Sequence, residues 1–242
     1  MRATAEDQRR LLELQKLDTR LARLSHERKT LPVLAELTGL QVRARDVETD
    51  RIRVVTRLTD LRRDLVRVED DVERIRQRTA RYQARMDAPG ASAKDVQAVQ
   101  QEMALLAARA SALEDQELEQ MEAVEALEAE LGAIEERARV LAEEISERAA
   151  VRDGEYHRLD EEAARVRAQR DELAAGLPAD LVALYDEVRG RTGGLGAVAL
   201  HGSRTEGVGI ELPLTELDEI RATPADVVVT SEEHGYILVR MA

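Results

Sequence analysis

Between Gly39 and Gly132 the chain holds one proline and one further glycine, and they stand side by side as Pro89-Gly90. On both sides of this pair apolar residues recur at alternating steps of four and three. Before it the row reads Val54, Leu58, Leu61, Leu65, Val68, Val72, Ile75, Thr79, Tyr82 and Met86. That spacing keeps one stripe facing a partner helix and so specifies a left-handed coiled coil. Leu14, Leu17, Leu21 and Leu24 repeat it nearer the start. Pro32 lies between the two stretches and lacks an amide donor, so a kink is expected near Leu31.

After the Pro-Gly pair, Ser92-Ala-Lys-Asp95 is a capping-box-like start for a second long helix. Its row runs Val96, Val99, Met103, Leu106, Ala110 and Leu113, then steps eleven residues to Val124 and continues through Leu127, Leu131, Ile134, Ala138, Leu141 and Ile145. The eleven-residue step reads as a stutter that unwinds the supercoil locally. Two arms of about 80 residues, at 1.5 Å per residue, would form a rod of roughly 120 Å.

Charge indicates how the arms pair. Residues 1–87 carry 21 basic and 16 acidic side chains, and residues 88–176 carry 10 and 22. A chain folded back at Gly90 would set residue i opposite residue 180 − i, with the arginine-rich first arm against the acidic run from Glu114 to Glu136. Each exposed pair contributes only about 0.2–1 kcal/mol, so the apolar seam supplies stability while charge selects the antiparallel partner. With no Phe, Trp or Cys and 35% charged residues, an ordinary globular core is excluded for most of the chain.

The fold class expected is mainly α: a long antiparallel coiled-coil hairpin over residues 1–176, with its tip at 87–92, and a small α+β domain over 177–242. In that last part glycines cluster and short branched runs replace heptads. Leu181 to Arg189 reads as a helix, Ala197 to Leu200 and Val208 to Leu212 as strands, and Thr215 to Arg221 as a helix. Val227 to Thr230 with Tyr236 to Arg240 reads as a hairpin closed by Ser231-Glu-Glu-His-Gly235.

No phosphate-binding glycine loop and no nucleophile–histidine–acid spacing is present, and the histidines at 26, 157, 201 and 234 are scattered. A rod offers no deep concave pocket, so an enzyme is not expected, nor a cofactor. No apolar run is long enough to span a bilayer and the N-terminus is charged from Arg2, which points to a cytoplasmic protein without a membrane partner. One local feature opposes the net charge of −13: between residues 74 and 100 six cations meet only Asp87 and Asp95. Arg78, Arg81, Arg85 and Lys94 are therefore the candidate binding residues of the tip.

Four strings are more specific than heptads: DQRRLLELQKLDTRLARLSHERKTLP, SAKDVQAVQQEMALLAARASALEDQELEQMEAVE, GLPADLVALYDEVRGRTGGLGA and ELPLTELDEIRATPADVVVTSEEHGYILVR. Through them the whole chain resembles the bacterial coiled-coil hairpin proteins that carry a C-terminal four-cysteine zinc ribbon, in particular the actinobacterial branch. The resemblance implies a ribbon-like fold for residues 177–242, with metal-ligand positions at Thr205, Val208, Ser231 and His234. These residues lack the thiolates zinc requires, which implies a metal-free ribbon held by packing.

Two function classes follow. The first is an adaptor presenting a rigid hairpin and a small head to a protein partner; studied relatives implied by the resemblance bind an alternative sigma factor and flagellar or secretion components. The second is a nucleic-acid-associated protein acting through the basic tip or the ribbon-like head. Residues 177–242 count 5 basic and 11 acidic groups, which disfavours the head as a phosphate-binding surface. A monomer or weak dimer is expected, since a parallel dimer would juxtapose identical acidic runs.

Overall fold

The computed structural model describes all residues except 89–92, 208 and 242, and the side chain of Ala93. The Pro89-Gly90 turn, the Ser92 cap and Val208 therefore lie outside the described residues. Among the described residues five helices and four short strands follow one another: α1 (Ala5–Lys29), α2 (Pro32–Met86), α3 (Ala93–Ala175), α4 (Ala179–Arg191), β1 (Ala197–His201), β2 (Arg204–Thr205), α5 (Leu214–Ala222), β3 (Val229–Thr230) and β4 (Ile237–Arg240). The fold is a long helical hairpin with a small C-terminal sheet region. By contacts it forms two units, one of Met1–Ala35 with Ala149–Ala242 and one of Glu36–Arg148.

In the second unit every seam residue from Val54 to Met86 is buried or half-buried, as the four-three spacing requires. Val54, Leu58, Leu127 and Ile134 form its best-packed cluster, flanked by Leu61, Val124 and Leu131. Val124 and Leu127 both pack in the cluster that holds Leu58, so the arms meet within a few residues of the 180 − i register, and Arg78 with Glu102 falls directly on it. The charges follow: Arg62 pairs with Glu128 and Arg76 with Glu114. Burying a Leu or Val contributes about 1.5–3 kcal/mol and an exposed ion pair less than 1, so the seam decides register. Four of the arginines expected to reach across instead pair within α2: Arg51 with Glu48, Arg53 with Asp50, Arg63 with Asp60 and Arg67 with Asp64. A carboxylate three residues earlier on the same helix is met with less loss of side-chain freedom.

The step from Leu113 to Val124 is not a stutter. Glu117 and Gln120 occupy the seam between them, half-buried, so the four-three alternation runs unbroken from Val96 to Ile145. The true four-four step comes at Leu141, Ile145 and Ala149, all half-buried. Periodicity read through apolar residues alone skips polar seam positions, hence the misplacement. At Pro32 the helix breaks instead of kinking. The Thr30 amide donates to the carbonyls of His26 and Glu27, closing α1, and α2 restarts with Pro32 at a first-turn position where no amide is needed.

In the first unit α1 starts from Thr4, whose hydroxyl accepts from the Asp7 amide at 3.0 Å. The sheet order is β2-β1-β4-β3, with β1 parallel to β4 and both outer pairs antiparallel. The expected strand from Val208 to Leu212 is absent among the described residues; only an isolated bridge joins Arg204 to Glu211. Gly207 and Gly209 both have positive φ and turn the chain too sharply to extend it. The small sheet acquires a core by borrowing: Leu11 and Leu14 of α1 are fully buried with Leu181, Tyr185, Val188, Ile237 and Leu238. Ile210 and Val228 of the same region are half-buried.

Candidate functional site

Three places concentrate polar chemistry. The first joins α1, α3, α4 and the start of β1. Along α1, Leu11, Leu14, Gln15 and Asp18 follow helical spacing, so the stripe that buries two leucines also buries an amide and a carboxylate. Tyr185, fully buried on α4, donates its hydroxyl to Asp18 Oδ2 at 2.9 Å and to Gln15 Oε1 at 3.2 Å. Arg170 Nε donates to Asp18 Oδ1 at 3.3 Å, and Arg189 Nε lies 3.6 Å from Oδ2. Gln15 Oε1 accepts from the Gly196 amide at 2.6 Å, while Gln15 Nε2 donates to the Gly194 carbonyl at 3.0 Å. A side chain at Gly196 would collide with the Tyr185 ring, its Cβ coming within 2.3 Å of a ring carbon. Burial, with help from the Asp18 charge, pushes the Tyr185 hydroxyl far above its ordinary range.

This cluster is internal and hydrogen-bonded throughout except at Arg189 Nε, which is buried beside Asp18 without a hydrogen bond; it ties the glycine-rich entry of the sheet to the helices. Sequence reading missed it. The signal was available in two polar residues on an otherwise apolar stripe of α1.

The second place is a pair of matched turns. Thr205 N donates to Ile210 O at 3.0 Å and Ser231 N to Tyr236 O at 2.9 Å; Gly209 N donates to Thr205 O at 3.1 Å and Gly235 N to Ser231 O at 2.9 Å. Thr205 and Ser231 are both buried, and Gly209 and Gly235 both take positive φ, near 70° and 75°. Here lie three of the four ligand positions that the resemblance implies, the fourth, Val208, being outside the described residues. The Thr205 hydroxyl is engaged on both sides, donating to Ile210 O and accepting from Ile210 N. Ser231 Oγ accepts from His234 N at 3.4 Å. The His234 ring stacks on Tyr236 at 5.5 Å, and the buried Tyr236 hydroxyl, pushed up by desolvation, lies toward Thr205 without a completed hydrogen bond.

Neutral hydroxyls committed to backbone groups do not fit a zinc ion, which calls for thiolates or imidazoles at four corners. One imidazole is too few. No group of three or more His, Asp or Glu suited to a metal occurs among the described residues.

The third place is the tip. Arg78 reaches across to Glu102 at 2.7 Å and its guanidinium lies 5.4 Å from the Tyr82 ring centre. Arg74 and Arg76 are held by Asp71 and Glu114. Arg81 is exposed and donates to the Gln77 carbonyl, while Arg85 and Lys94 are exposed. Three of the six tip cations are thus spent on carboxylates of the hairpin itself. Among the described residues no helix is long and apolar enough to cross a membrane.

Comparisons with known proteins agree with this architecture. The uncharacterized protein Rv2229c of Mycobacterium tuberculosis is 32% identical over 242 residues, covering 100% of this chain and 98% of that protein. A Mycobacterium smegmatis protein of known structure superposes with a TM-score of 0.88 at 33% identity, covering 99% of this chain and 100% of that one. CT398 from Chlamydia trachomatis shares the fold at 19% identity, with a TM-score of 0.75 over 98% of each chain. The model of the CT398-like coiled coil hairpin domain matches residues 14–193, and the chain belongs to that family.

Proposed function

We propose that this chain is a non-enzymatic interaction protein that presents its hairpin flanks and its small ribbon-like head to protein partners. The observation that carries the reading is apolar surface on helices whose seam is already filled. Leu105 is 68% exposed on α3, and Leu214, at the start of α5 on the head, is 77% exposed. Contiguous apolar surface is what marks a contact site, and single exposed leucines are common on proteins, so Leu105 and Leu214 serve here as the positions at which the reading is tested. The chemistry-bearing groups point the same way. Asp18 is neutralised inside its own network, His201 lies against Glu206 and His157 against Glu161, so none is poised in a cleft beside a nucleophile. The resemblance to hairpin proteins with a metal-bearing ribbon supports a head whose two turns are closed by hydrogen bonds in place of zinc.

A nucleic-acid role rests on three exposed cations, Arg81, Arg85 and Lys94, in a chain of net charge −13. Titration of the purified protein with RNA and DNA at two salt concentrations separates the readings, because phosphate binding must weaken steeply with salt. The adaptor reading predicts no salt-sensitive binding to either polymer, and a captured protein that Leu105→Glu or Leu214→Glu releases. Tight, salt-sensitive binding to RNA or DNA, with capture indifferent to both substitutions, would replace it with the nucleic-acid reading.

A further inference from the structure

One side of the hairpin in the unit Glu36–Arg148 is built for a specific occupant. With the seam taken as heptad positions a and d, Arg62, Glu128, Arg76 and Glu114 all fall at e. Their cross-arm pairs therefore place the e rows of α2 and α3 on the same side. The b and e positions on that side hold Ile52, Val55 and Val66 of α2 and Leu118 and Met121 of α3, all exposed. Gly132 of α3 is a b position there as well. A methyl group added to it would meet no atom of this chain within 4 Å. A glycine inside an exposed helix gives up about 1 kcal/mol relative to alanine, and nothing within the chain uses the space. Gly39 and Gly154 are equally open, but Gly132 lies at the level of apolar residues on the opposite arm. The seam packing of Leu58 with Val124 and Leu127 sets Val55 and Ile52 level with residues near 130, within about two turns of Gly132.

We infer that this b/e face binds a second copy of the chain, with the two hairpins side by side about a two-fold axis parallel to their length. Such an axis lays α2 of each copy, antiparallel, on α3 of the other and keeps levels matched. Ile52 and Val55 of one copy then fill the space over Gly132 of the other, and Val66 meets Leu118 and Met121. Charge selects this axis over the one perpendicular to the hairpin. On α2 the b and e positions from Arg45 to Arg76 balance three arginines with three glutamates; on α3 those from Glu114 to Arg139 carry four glutamates and one arginine. The perpendicular axis would press the two acidic α3 rows together, whereas the parallel axis sets each against a neutral row. The inference rests on the interaction reading and names one partner for one face.

Sedimentation of the full purified chain over a wide concentration range tests it. The mass should double with concentration, and Leu118→Glu with Met121→Glu should weaken that association at least about tenfold while leaving helicity unchanged. Gly132→Leu should raise the melting temperature of the dilute monomer yet weaken the dimer, opposite signs that a purely structural glycine cannot give. The chain has no native cysteine. Under oxidation, Val55→Cys and Gly132→Cys proteins mixed together should therefore cross-link to each other, and neither should cross-link alone. A monomer at every concentration overturns the inference. So does a dimer indifferent to these changes, or Gly132→Cys cross-linking to itself. The assay contains this chain alone, so its failure leaves capture of other proteins through Leu105 or Leu214 standing.

Discussion

The hydroxyl of Tyr185 on α4 donates to the carboxylate of Asp18 on α1 across 2.9 Å, in a site from which both side chains are excluded from water. This bond links residues 167 positions apart and fixes the head onto the helices beneath it. A sheet too small to bury a core of its own thereby gains one from α1.

Tyr185→Phe should lower stability by about 1–3 kcal/mol, because the buried Asp18 loses its neutral donor. Asp18→Ala should cost more, about 3–5 kcal/mol, since it leaves Arg170 and Arg189 without their shared charge. The pH dependence has a definite sign. The folded state holds Tyr185 protonated above its ordinary value near 10, so this contribution is complete below that value and declines as the pH rises beyond it. Thermal melts between pH 8 and 11 should show a falling limb in the parent protein that is shallower in Tyr185→Phe.

Gln120 occupies a seam position with its Oε1 buried and unpaired. Gln120→Leu should therefore raise hairpin stability, by about 1–2 kcal/mol, with an upward shift in melting temperature. An unchanged or lower value would mean that this amide finds a partner in solution.

Much of the hairpin is legible in the sequence because its signal is local. Val54 to Met86 repeat at a spacing only one helix face can satisfy, and a single Pro-Gly pair interrupts the run. Gln120 and Glu117 show where that reading fails, since a seam can carry polar residues that no hydrophobic pattern reveals. The Asp18–Tyr185 site was signalled only in part, by Gln15 and Asp18 on the apolar stripe of α1, because its partners come from separate stretches and only the tertiary fold brings Gln15, Asp18, Arg170, Tyr185 and Gly196 together. At the tip, the cation count was readable and the fold-back at Gly90 sets residue 78 opposite residue 102, where Arg78 meets Glu102; the retention of Arg74 by Asp71 of its own helix was not readable.

Zinc should be absent in stoichiometric amount from the purified protein, and a chelator should leave its melting curve unmoved, since Thr205 and Ser231 commit their oxygens to the backbone. Thr205→Val should cost about 1–3 kcal/mol by removing the bonds that close the first turn. One equivalent of zinc by elemental analysis, lost on His234→Ala, would show that the turns still hold metal.

Arg240 donates to the carbonyls of Ile220, Thr223, Pro224, Ala225 and Val227, gathering the chain between α5 and β3. Lysine cannot span that set, so Arg240→Lys should destabilise by about 3 kcal/mol. Hydrogen exchange should then rise in residues 220–228 ahead of the hairpin.

Arg81→Glu, Arg85→Glu and Lys94→Glu combined should leave the melting temperature nearly unchanged, as exposed helix charges contribute a few tenths of a kcal/mol each. Protein capture should also persist, because the flanks and the head carry it; loss of capture without loss of stability would move the contact surface to the tip.

The most direct test of an interaction role is photo-cross-linking in intact cells of the native host, with a photoreactive residue at Leu105 or at Leu214 and a control at the exposed polar Thr56. The account predicts a discrete protein adduct at one or both apolar positions, resistant to nuclease and absent from Thr56. No adduct at either position, or adducts that nuclease removes, would contradict it.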